Sequence, residues 1–449
     1  MRGHIRVESG IVIVALLLGG RVSAWGGDHW PAFRGADARG VADDARLPDH
    51  WSASENVAWK LETPGRGWSS PIVWGDRVFL TTCIDSGAPP EARKGLYFGG
   101  EQSKPPQRNH DWKVLCYELA TGKPLWEKTV HQGIPQTPIH VKNTYASETP
   151  LTDGQHVYAY FGNVGLYCLD FDGNVVWSKT MEPRKTQMNW GPAASPALAD
   201  GKLYIVNDNQ DESYLQALNA ADGQEEWRVS RDEQSNWSTP YVWKNDRRTE
   251  VVTAGTRKIR SYDLAGKLLW EIAGMSPITI ATPYESKGLL YVSSGYVLAP
   301  SKPIYAIRPG AQGDISLGST QTSSDHIAWC QKTAAPYNPS TLIYRDRLYV
   351  LYDRGLFACY DAVTGKEIYS KQRLGASEYT ASPWANAGQI FCLSESGETV
   401  VIEAGDEFRN LHTNRLEDDD MCMATPAIAS DRLLIRTVSR LYCIRKAEL

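Results

Sequence analysis

Short runs of alternating apolar and polar residues recur along this chain, and residues 190–230 show the pattern clearly. One alternating run there contains Leu203 and Ile205, and a second contains Leu215. Alternation with a period of two between turn residues predicts short, half-buried β-strands. The stretch opens on a Ser-Pro dipeptide and ends on Ala-Asp-Gly, with Trp227 four residues after the glycine. Such a four-stranded unit cannot bury both of its faces alone, so it needs neighbours.

The same unit recurs along the sequence. Its Ser/Thr-Pro opening appears at Pro71, Pro150, Pro196, Pro240, Pro283, Pro383 and Pro426, and an eighth copy has Thr341 in place of the proline. Several spacings are 42 to 46 residues, and about 40 residues per four-stranded unit is the period of a β-propeller blade. We expect the closing aromatic residues to dock between adjacent blades: Trp59, Trp126, Trp177, Trp227, Trp270, Trp329 and Tyr369.

The two ends of the chain are predicted to complete one blade. The last copy ends after its third strand, whereas residues 55–60 form an isolated strand that precedes the first copy. Trp59 precedes Pro71 by 12 residues, close to the 13 residues from Trp227 to Pro240 and from Trp270 to Pro283. We therefore predict an all-β, eight-bladed propeller of four-stranded antiparallel blades over residues 55–446, with insertions at about 84–110 and 309–325.

The N-terminus has the features of an export signal. Arg2 and Arg6 precede an apolar run at 11–18, and small residues at 22–24 suit a cleavage site, which predicts a signal peptide over residues 1–24. We expect a periplasmic or extracellular protein in which residues 25–54 wrap over the propeller. No later segment is apolar and long enough for a transmembrane helix.

The net charge indicates which partners are unsuited to this protein, and the positions of the cysteines indicate which of them stay reduced. The net charge is −5, with no cluster of lysine and arginine, which argues against nucleic acid as a partner. Four cysteines occupy one repeat position on different blades: Cys116, Cys168, Cys359 and Cys443. We expect them to be buried thiols, because packed sheets lie about 10 Å apart and a disulfide needs Cα atoms within about 7 Å. Two of the other four cysteines could form a disulfide with each other: Cys83, Cys330, Cys392 and Cys422.

Inner strands line a propeller's channel, so residues near each opening are candidates for a binding site. Glu148 lies two residues before Pro150, where other blades have small or compact residues. It could pair with Arg66, bind a cation or act on a ligand, and a structural ion pair is the plainer alternative. The candidate residues at the channel mouth are Arg66, Trp68, Glu148, Asn189, Trp190, Asn236, Trp237, Tyr337 and Tyr379. The sequence has no H-E-x-x-H, G-x-S-x-G, Walker or C-x-x-C motif, so no catalytic or metal-binding residue is assigned.

The repeats and three segments, at 30–35 (WPAFRG), 65–71 (GRGWSSP) and 145–150 (YASETP), resemble the pyrroloquinoline-quinone-like propeller repeat family. That family includes quinoprotein dehydrogenases and the BamB propeller of the outer-membrane β-barrel assembly machine, and the segments are similar to exported propellers common in planctomycete bacteria. The resemblance specifies a fold and leaves function to be argued from a site. For the dehydrogenase branch the resemblance implies an aromatic platform, an arginine, Ca²⁺ ligands and a pair of adjacent cysteines. This chain has no adjacent cysteines.

Three functions remain open at this point. We favour an exported, non-catalytic platform that binds envelope proteins or an extended polar ligand, without a cofactor. The first alternative is an oxidoreductase dependent on pyrroloquinoline quinone and Ca²⁺, with Trp68, Trp190 or Trp237 as the aromatic platform. The second is a carbohydrate-binding or carbohydrate-processing propeller, which the aromatic-rich rim suggests.

Overall fold

The computed structural model describes residues 27–87, 91–417 and 420–447, so the expected signal peptide lies outside the described residues. Within these ranges the chain forms eight antiparallel β-sheets, six of four strands and two of five. The helical structure there is a single 3₁₀ turn, Gln187–Asn189. The predicted all-β, eight-bladed propeller is confirmed.

The first half of the ring contains two leading strands and four blades. The leading strands are β1 (His29–Trp30) and β2 (Val57–Glu62). Blade one contains β3 (Ile72–Trp74), β4 (Arg77–Asp85), β5 (His110–Glu118) and β6 (Pro124–Gly133). Blade two contains β7 (Leu151–Thr152), β8 (His156–Phe161), β9 (Gly165–Asp170) and β10 (Val175–Thr180). Blade three contains β11 (Ala197–Ala199), β12 (Lys202–Asn207), β13 (Ser213–Asn219) and β14 (Glu225–Arg231). Blade four contains β15 (Tyr241–Lys244), β16 (Thr249–Ala254), β17 (Lys258–Tyr262) and β18 (Leu268–Ala273).

The second half repeats the arrangement. Blade five contains β19 (Tyr284–Ser286), β20 (Leu289–Ser293), β21 (Ile304–Ile307) and β23 (Ile327–Gln331), with β22 (Gly313–Asp314) between the last two in sequence. Blade six contains β24 (Leu342–Tyr344), β25 (Arg347–Tyr352), β26 (Leu356–Asp361) and β27 (Glu367–Arg373). Blade seven contains β28 (Trp384–Asn386), β29 (Gln389–Leu393), β30 (Glu398–Glu403) and β31 (Asn410–Arg415). Blade eight contains β32 (Ala427–Ala429), β33 (Arg432–Arg436) and β34 (Arg440–Ile444).

The ring closes where the predicted N-terminal strand joins the last blade. β2 pairs antiparallel with β34, and Trp59 lies opposite Cys443. This pairing completes blade eight and removes an open sheet edge. Two further strands extend blades: β1 pairs with β3 in blade one, and β22 pairs in parallel with β18 in blade four.

Burial follows the position of a strand within its blade. In blade two, β8 and β9 are buried along nearly their whole length, whereas the outer β10 alternates between exposed and half-buried residues. The apolar clusters lie between blades, as where Phe79 of blade one and Val157 of blade two share one cluster. The core is therefore a ring of layers between neighbouring sheets, and each layer needs both of its blades.

The tryptophan that ends a blade packs on the glycine turn of the next blade. Trp227 covers Gly266, where an added Cβ would lie 2.8 Å from the indole ring, and its N–H donates to the Leu264 carbonyl oxygen at 3.0 Å. Gly266 has φ +86°, so both conformation and space favour glycine there. The same contacts join Trp59 to Gly122 and Leu119, Trp126 to Gly173 and Phe171, Trp177 to Gly223 and Ala220, and Trp329 to Gly365 and Ala362.

Two of the expected docking residues make different contacts. The Trp270 N–H donates to Glu250 within its own blade at 2.7 Å, because blade five has the excursion at 309–325 in place of an Asp-Gly turn. Tyr369 instead packs edge-on against Phe408, with ring centroids 6.1 Å apart. All eight cysteines are buried free thiols, so no pair is oxidised in this structure.

Candidate functional site

The central channel contains a cavity of about 540 Å³ at the end where the loops between blades meet. Loops that join the second and third strands of a blade emerge at the same end, so many segments contribute side chains. Eight aromatic residues line the cavity: Phe33, Trp68, Tyr97, Phe98, Trp190, Trp237, Tyr296 and Tyr337. A largely apolar lining with few polar groups is typical of small-molecule sites.

The far end of the channel is crossed by residues 27–50, which we name the plug. The plug contacts the turns between first and second strands around the ring, and Phe33 extends from it to the cavity. Its contacts join His29 to Trp74, Pro31 to Thr152, Arg39 to Glu285, Arg34 to Thr341, Ala42 to Asn386 and Arg46 to Asp431. Six of the eight blades are thereby tied to one segment.

A ring of hydroxyl residues surrounds the cavity. These are the serine or threonine of each repeat opening: Ser70, Thr149, Ser195, Thr239, Thr282, Ser340, Ser382 and Thr425. In six links the backbone N–H of one blade's residue donates to the hydroxyl of the next, at 2.9 to 3.1 Å. The opening motif therefore joins neighbouring blades through side chains as well as starting the inner strand.

Two seams of the ring depart from this pattern. Between blades four and five, the Ser238 hydroxyl donates to the Ala281 carbonyl oxygen at 2.8 Å. Between blades eight and one, Arg436 donates to the Ser69 carbonyl oxygen at 3.0 Å, and the buried Ser70 hydroxyl has no partner among the described residues. This seam therefore leaves one buried hydroxyl beside the cavity without a hydrogen-bond partner in the described part of the chain.

Residues 91–109, part of the predicted insertion in blade one, reach over the mouth, and we name them the lid. Gly95 is held from two sides: its N–H donates to the Glu395 carboxylate at 2.7 Å, and its carbonyl oxygen accepts from Lys142 Nζ at 2.9 Å. Lys142 also pairs with Glu395 at 2.8 Å. The lid is therefore fixed by an ion pair between the loop that precedes blade two and the far side of the ring in blade seven.

Four of the nine predicted mouth residues line the cavity together. They are Trp68, Trp190, Trp237 and Tyr337. The Trp190 and Trp237 ring centroids are 5.7 Å apart, and the Trp237 indole N–H donates to the Gly191 carbonyl oxygen at 2.6 Å. Tyr337 packs edge-on against Tyr296 at 5.3 Å. These hydrogen bonds and ring contacts fix the orientation of the aromatic walls.

The other five predicted residues lie behind the cavity wall or beside the lid. Asn236 donates to the buried carboxylate of Asp208, and Tyr379 is buried with its backbone N–H on Asp353. Asn189 contacts the lid through Gln102 at 3.2 Å. Arg66 pairs through its backbone with Cys83, on the side of Asp85 and Glu91, whose charges act on its guanidinium. Glu148 is the fifth.

Glu148 is buried and is not paired with Arg66. Its carboxylate accepts the Gly162 N–H at 2.9 Å and borders a separate cavity of about 20 Å³, near Phe161 and Pro192. Burial raises the pKa of Glu148 to about 7, more than the backbone N–H groups lower it. Among the described residues no salt bridge to this carboxylate occurs, so the alternative of a structural ion pair has no support there.

Sequence reasoning missed the hydroxyl ring, the lid contacts and two cationic lining residues, Lys142 and Arg354. The hydroxyl ring had a signal, since a serine or threonine stands at all eight openings. The contacts of Lys142 with Glu395 had none, because 253 residues separate the two in sequence.

The lining residues do not fit a quinone site with Ca²⁺. The aromatic platform is present, but Ca²⁺ takes six to eight oxygen ligands with several carboxylates. Glu101 is the one carboxylate that lines the cavity in the described ranges, and Glu395 is already bound by Lys142 and Gly95. No cluster of three or more histidine, cysteine or acidic residues suited to a metal occurs in that part of the chain.

These features define an eight-bladed propeller with a channel cavity between a plug and a lid. The solved structures it resembles include BamB from Moraxella catarrhalis, at 10% identity and TM-score 0.55, covering 86% of this chain and 98% of that chain. Another is quinohemoprotein alcohol dehydrogenase from Comamonas testosteroni, at 12% identity and TM-score 0.59, covering 94% and 81%. At these identities the likeness shows the fold alone.

Residues 110–326 match the family described as outer membrane protein assembly factor BamB. The match covers just under half of the chain, so this central part is similar to that family, and the fold of the whole ring agrees with the match. A search of curated proteins finds no match. Within the described ranges, no helix combines the length and apolarity needed to cross a membrane.

Proposed function

We propose that this chain is an exported, non-catalytic propeller that binds a polar ligand, or the end of a partner chain, in its channel cavity. The observation that carries the proposal is the cavity itself, at about 540 Å³. Ligand sites of about 300–1,000 Å³ with aromatic linings and a few placed polar groups are the common form.

The bonding of the polar lining residues supports binding in preference to catalysis. Lys142 is engaged by Glu395 and Gly95, and His140 Nε2 is 2.8 Å from the Gly99 carbonyl oxygen. Burial lowers the pKa of His140, which keeps its ring neutral near pH 7. A nucleophile placed beside a free base, the usual arrangement for covalent catalysis, does not occur in these contacts.

The loops around the mouth support a second, protein-facing role. Phe98, Leu298 and Met188 are 79%, 63% and 57% exposed, and each belongs to a loop that contributes to the cavity wall. Exposed apolar side chains on one face are typical of surfaces that meet a partner. An envelope protein that contacts this face agrees with the family's description as an assembly factor.

The cavity can be tested with a thermal-shift panel of probes: maltotriose, trigalacturonate, alanine tripeptide, and pyrroloquinoline quinone with Ca²⁺. We expect at least one probe to raise the melting temperature saturably. Ala193 lines the cavity, so Ala193→Phe should abolish that shift by filling the space. Ala36→Phe, on the exposed face of the plug, is the matched control. The proposal is contradicted if no probe gives a shift, if only the quinone with Ca²⁺ gives one, or if Ala193→Phe leaves the shift intact.

A further inference from the structure

Two buried arginines lie next to the hydroxyl ring and have no acidic partner in the described part of the chain. Arg34 donates to the Thr341 carbonyl oxygen at 2.8 Å, one residue after the ring hydroxyl of Ser340. Arg436 donates to Ser69, one residue before Ser70. Neither guanidinium has a salt bridge among the described residues, and each has two nitrogen atoms without a hydrogen-bond partner there. Buried charge is normally compensated, so these two cations leave the ring electropositive.

The ring itself presents hydrogen-bond donors to the cavity. A hydroxyl that accepts an amide N–H still has its own O–H to donate. For Thr149, Ser195, Thr239, Ser382 and Thr425, no acceptor for that O–H occurs among the described residues. Ser70 is 1% exposed, lines the cavity, and its hydroxyl has no partner at all in the described part of the chain. A ligand rich in acceptor oxygens would satisfy these groups.

The cavity wall adds one available cation. Arg354 lines the cavity, is exposed, and forms no hydrogen bond or ion pair with a described residue. Lys142, in contrast, is neutralised by Glu395. Low-dielectric walls focus the field of such charges on a bound group, so a carboxylate near Arg354 would gain more than it would in open solvent.

Four of the eight aromatic residues that line the cavity form two pairs at the mouth. Trp190 and Trp237 form one pair at 5.7 Å, and Tyr296 and Tyr337 form another at 5.3 Å. The apolar faces of pyranose rings stack on such side chains, while the hydroxyl and carboxylate oxygens of the sugar remain free to accept hydrogen bonds. The aromatic side chains can therefore contact the apolar faces of a sugar ring, while the hydroxyl ring donates hydrogen bonds to its oxygen atoms.

We infer that the cavity binds a short acidic oligosaccharide, with uronate carboxylates directed to the hydroxyl ring and Arg354 and sugar rings against the paired aromatic side chains. This inference rests on the proposed function and adds the chemical class of the ligand. Binding requires no covalent step.

The test compares trigalacturonate with maltotriose, a neutral sugar of the same number of rings, by isothermal titration calorimetry. We expect trigalacturonate to bind at least about tenfold more tightly, since charge-assisted hydrogen bonds are roughly twice as strong as neutral ones. Arg354→Gln should remove most of this preference and leave maltotriose binding within about twofold. Arg409→Gln, on the outer surface at 61% exposure, is the matched control.

Ser70→Ala gives a second variant that leaves the six links of the ring in place, because its backbone N–H makes the contact with Thr149 and its hydroxyl makes none. It should weaken trigalacturonate several-fold. Equal binding of the two sugars, or binding that neither variant changes, overturns the inference and leaves the proposed function standing. Binding of only the tripeptide, abolished by Ala193→Phe, does the same, whereas binding of only the quinone with Ca²⁺ contradicts both the inference and the proposed function. If no probe binds, the proposed function fails and the inference fails with it.

Discussion

The two ends of the channel are closed by different means. The plug is held by contacts with six blades, and Trp30 within it is 5% exposed. The lid is held at Gly95 by Lys142 and Glu395 and at residues 99–102 by the neighbouring loops, and Phe98 within it is 79% exposed. Elements with few buried contacts open at low free-energy cost. We therefore assign the plug to the folded core and the lid to the adjustable side from which a ligand enters.

The largest test of this comparison removes one aromatic side chain from each end. Trp30 lies in the cluster that joins blades one, seven and eight, so Trp30→Ala should lower the free energy of unfolding by about 3–5 kcal/mol. Phe98→Ala should change it by less than about 0.5 kcal/mol, as expected for an exposed side chain. Urea denaturation of both variants measures the difference. Similar losses for the two substitutions would show that the lid is as much a part of the core as the plug.

The two ends should also differ in how their ionisable groups make stability depend on pH. The mouth side contains the buried carboxyl of Glu148, whose pKa rises from 4.5 to about 7 on burial. The plug contains Arg34, whose pKa falls to about 10 on burial, above the range of interest. Between pH 4.5 and 7 the folded state keeps the Glu148 proton and the unfolded state releases it, so stability falls as pH rises. The contribution is on the order of 3 kcal/mol across that window.

Glu148→Gln should flatten this dependence, because the amide stays neutral and can still accept the Gly162 N–H. Relative to wild type, the variant should therefore be more stable at pH 8 than at pH 4. Glu407→Gln, at an exposed position, is the control and should leave the slope unchanged. Chemical denaturation at several pH values gives the comparison, and an unchanged slope in Glu148→Gln would show that this carboxyl is solvated in the folded protein.

The difference between the two ends also limits what the sequence could predict. The blades, their number and the closure at Trp59 follow from local repeats, because each blade buries its two faces against its neighbours and so needs the same pattern of apolar residues. The lid was predicted only as an insertion, because its contact with Glu395 depends on where blade seven returns around the ring. The sequence marks Glu148 as an anomaly, but its environment depends on Gly162 of its own blade and on Pro192, which leads into the next blade. These contacts join residues that are distant in sequence, and the repeat pattern does not specify which of them meet.

The smallest effect that we predict concerns the ion pair that holds the lid. Lys142→Met leaves the buried Glu395 carboxylate without its charged partner, a loss of about 2 kcal/mol for the closed lid. Trypsin cleavage after Arg93 or Lys94 should then be about 30-fold faster, since the lid opens more often before cleavage. Cleavage after Arg39 and Arg46 in the plug should not change, and mass spectrometry of the fragments distinguishes the sites.

Two further variants decide whether this ion pair is the cause. Lys142→Met combined with Glu395→Gln removes both charges and should recover part of the protection, because no buried charge is left unpaired. Lys287→Met breaks an exposed pair with Asp346 on the plug side, with both side chains more than half exposed, and should change neither set of cleavage rates, as exposed pairs contribute little. If Lys142→Met leaves the lid as resistant as the wild type, the lid is held by its contacts with His140 and Trp190 instead, and the contrast between the two ends becomes one of exposure alone.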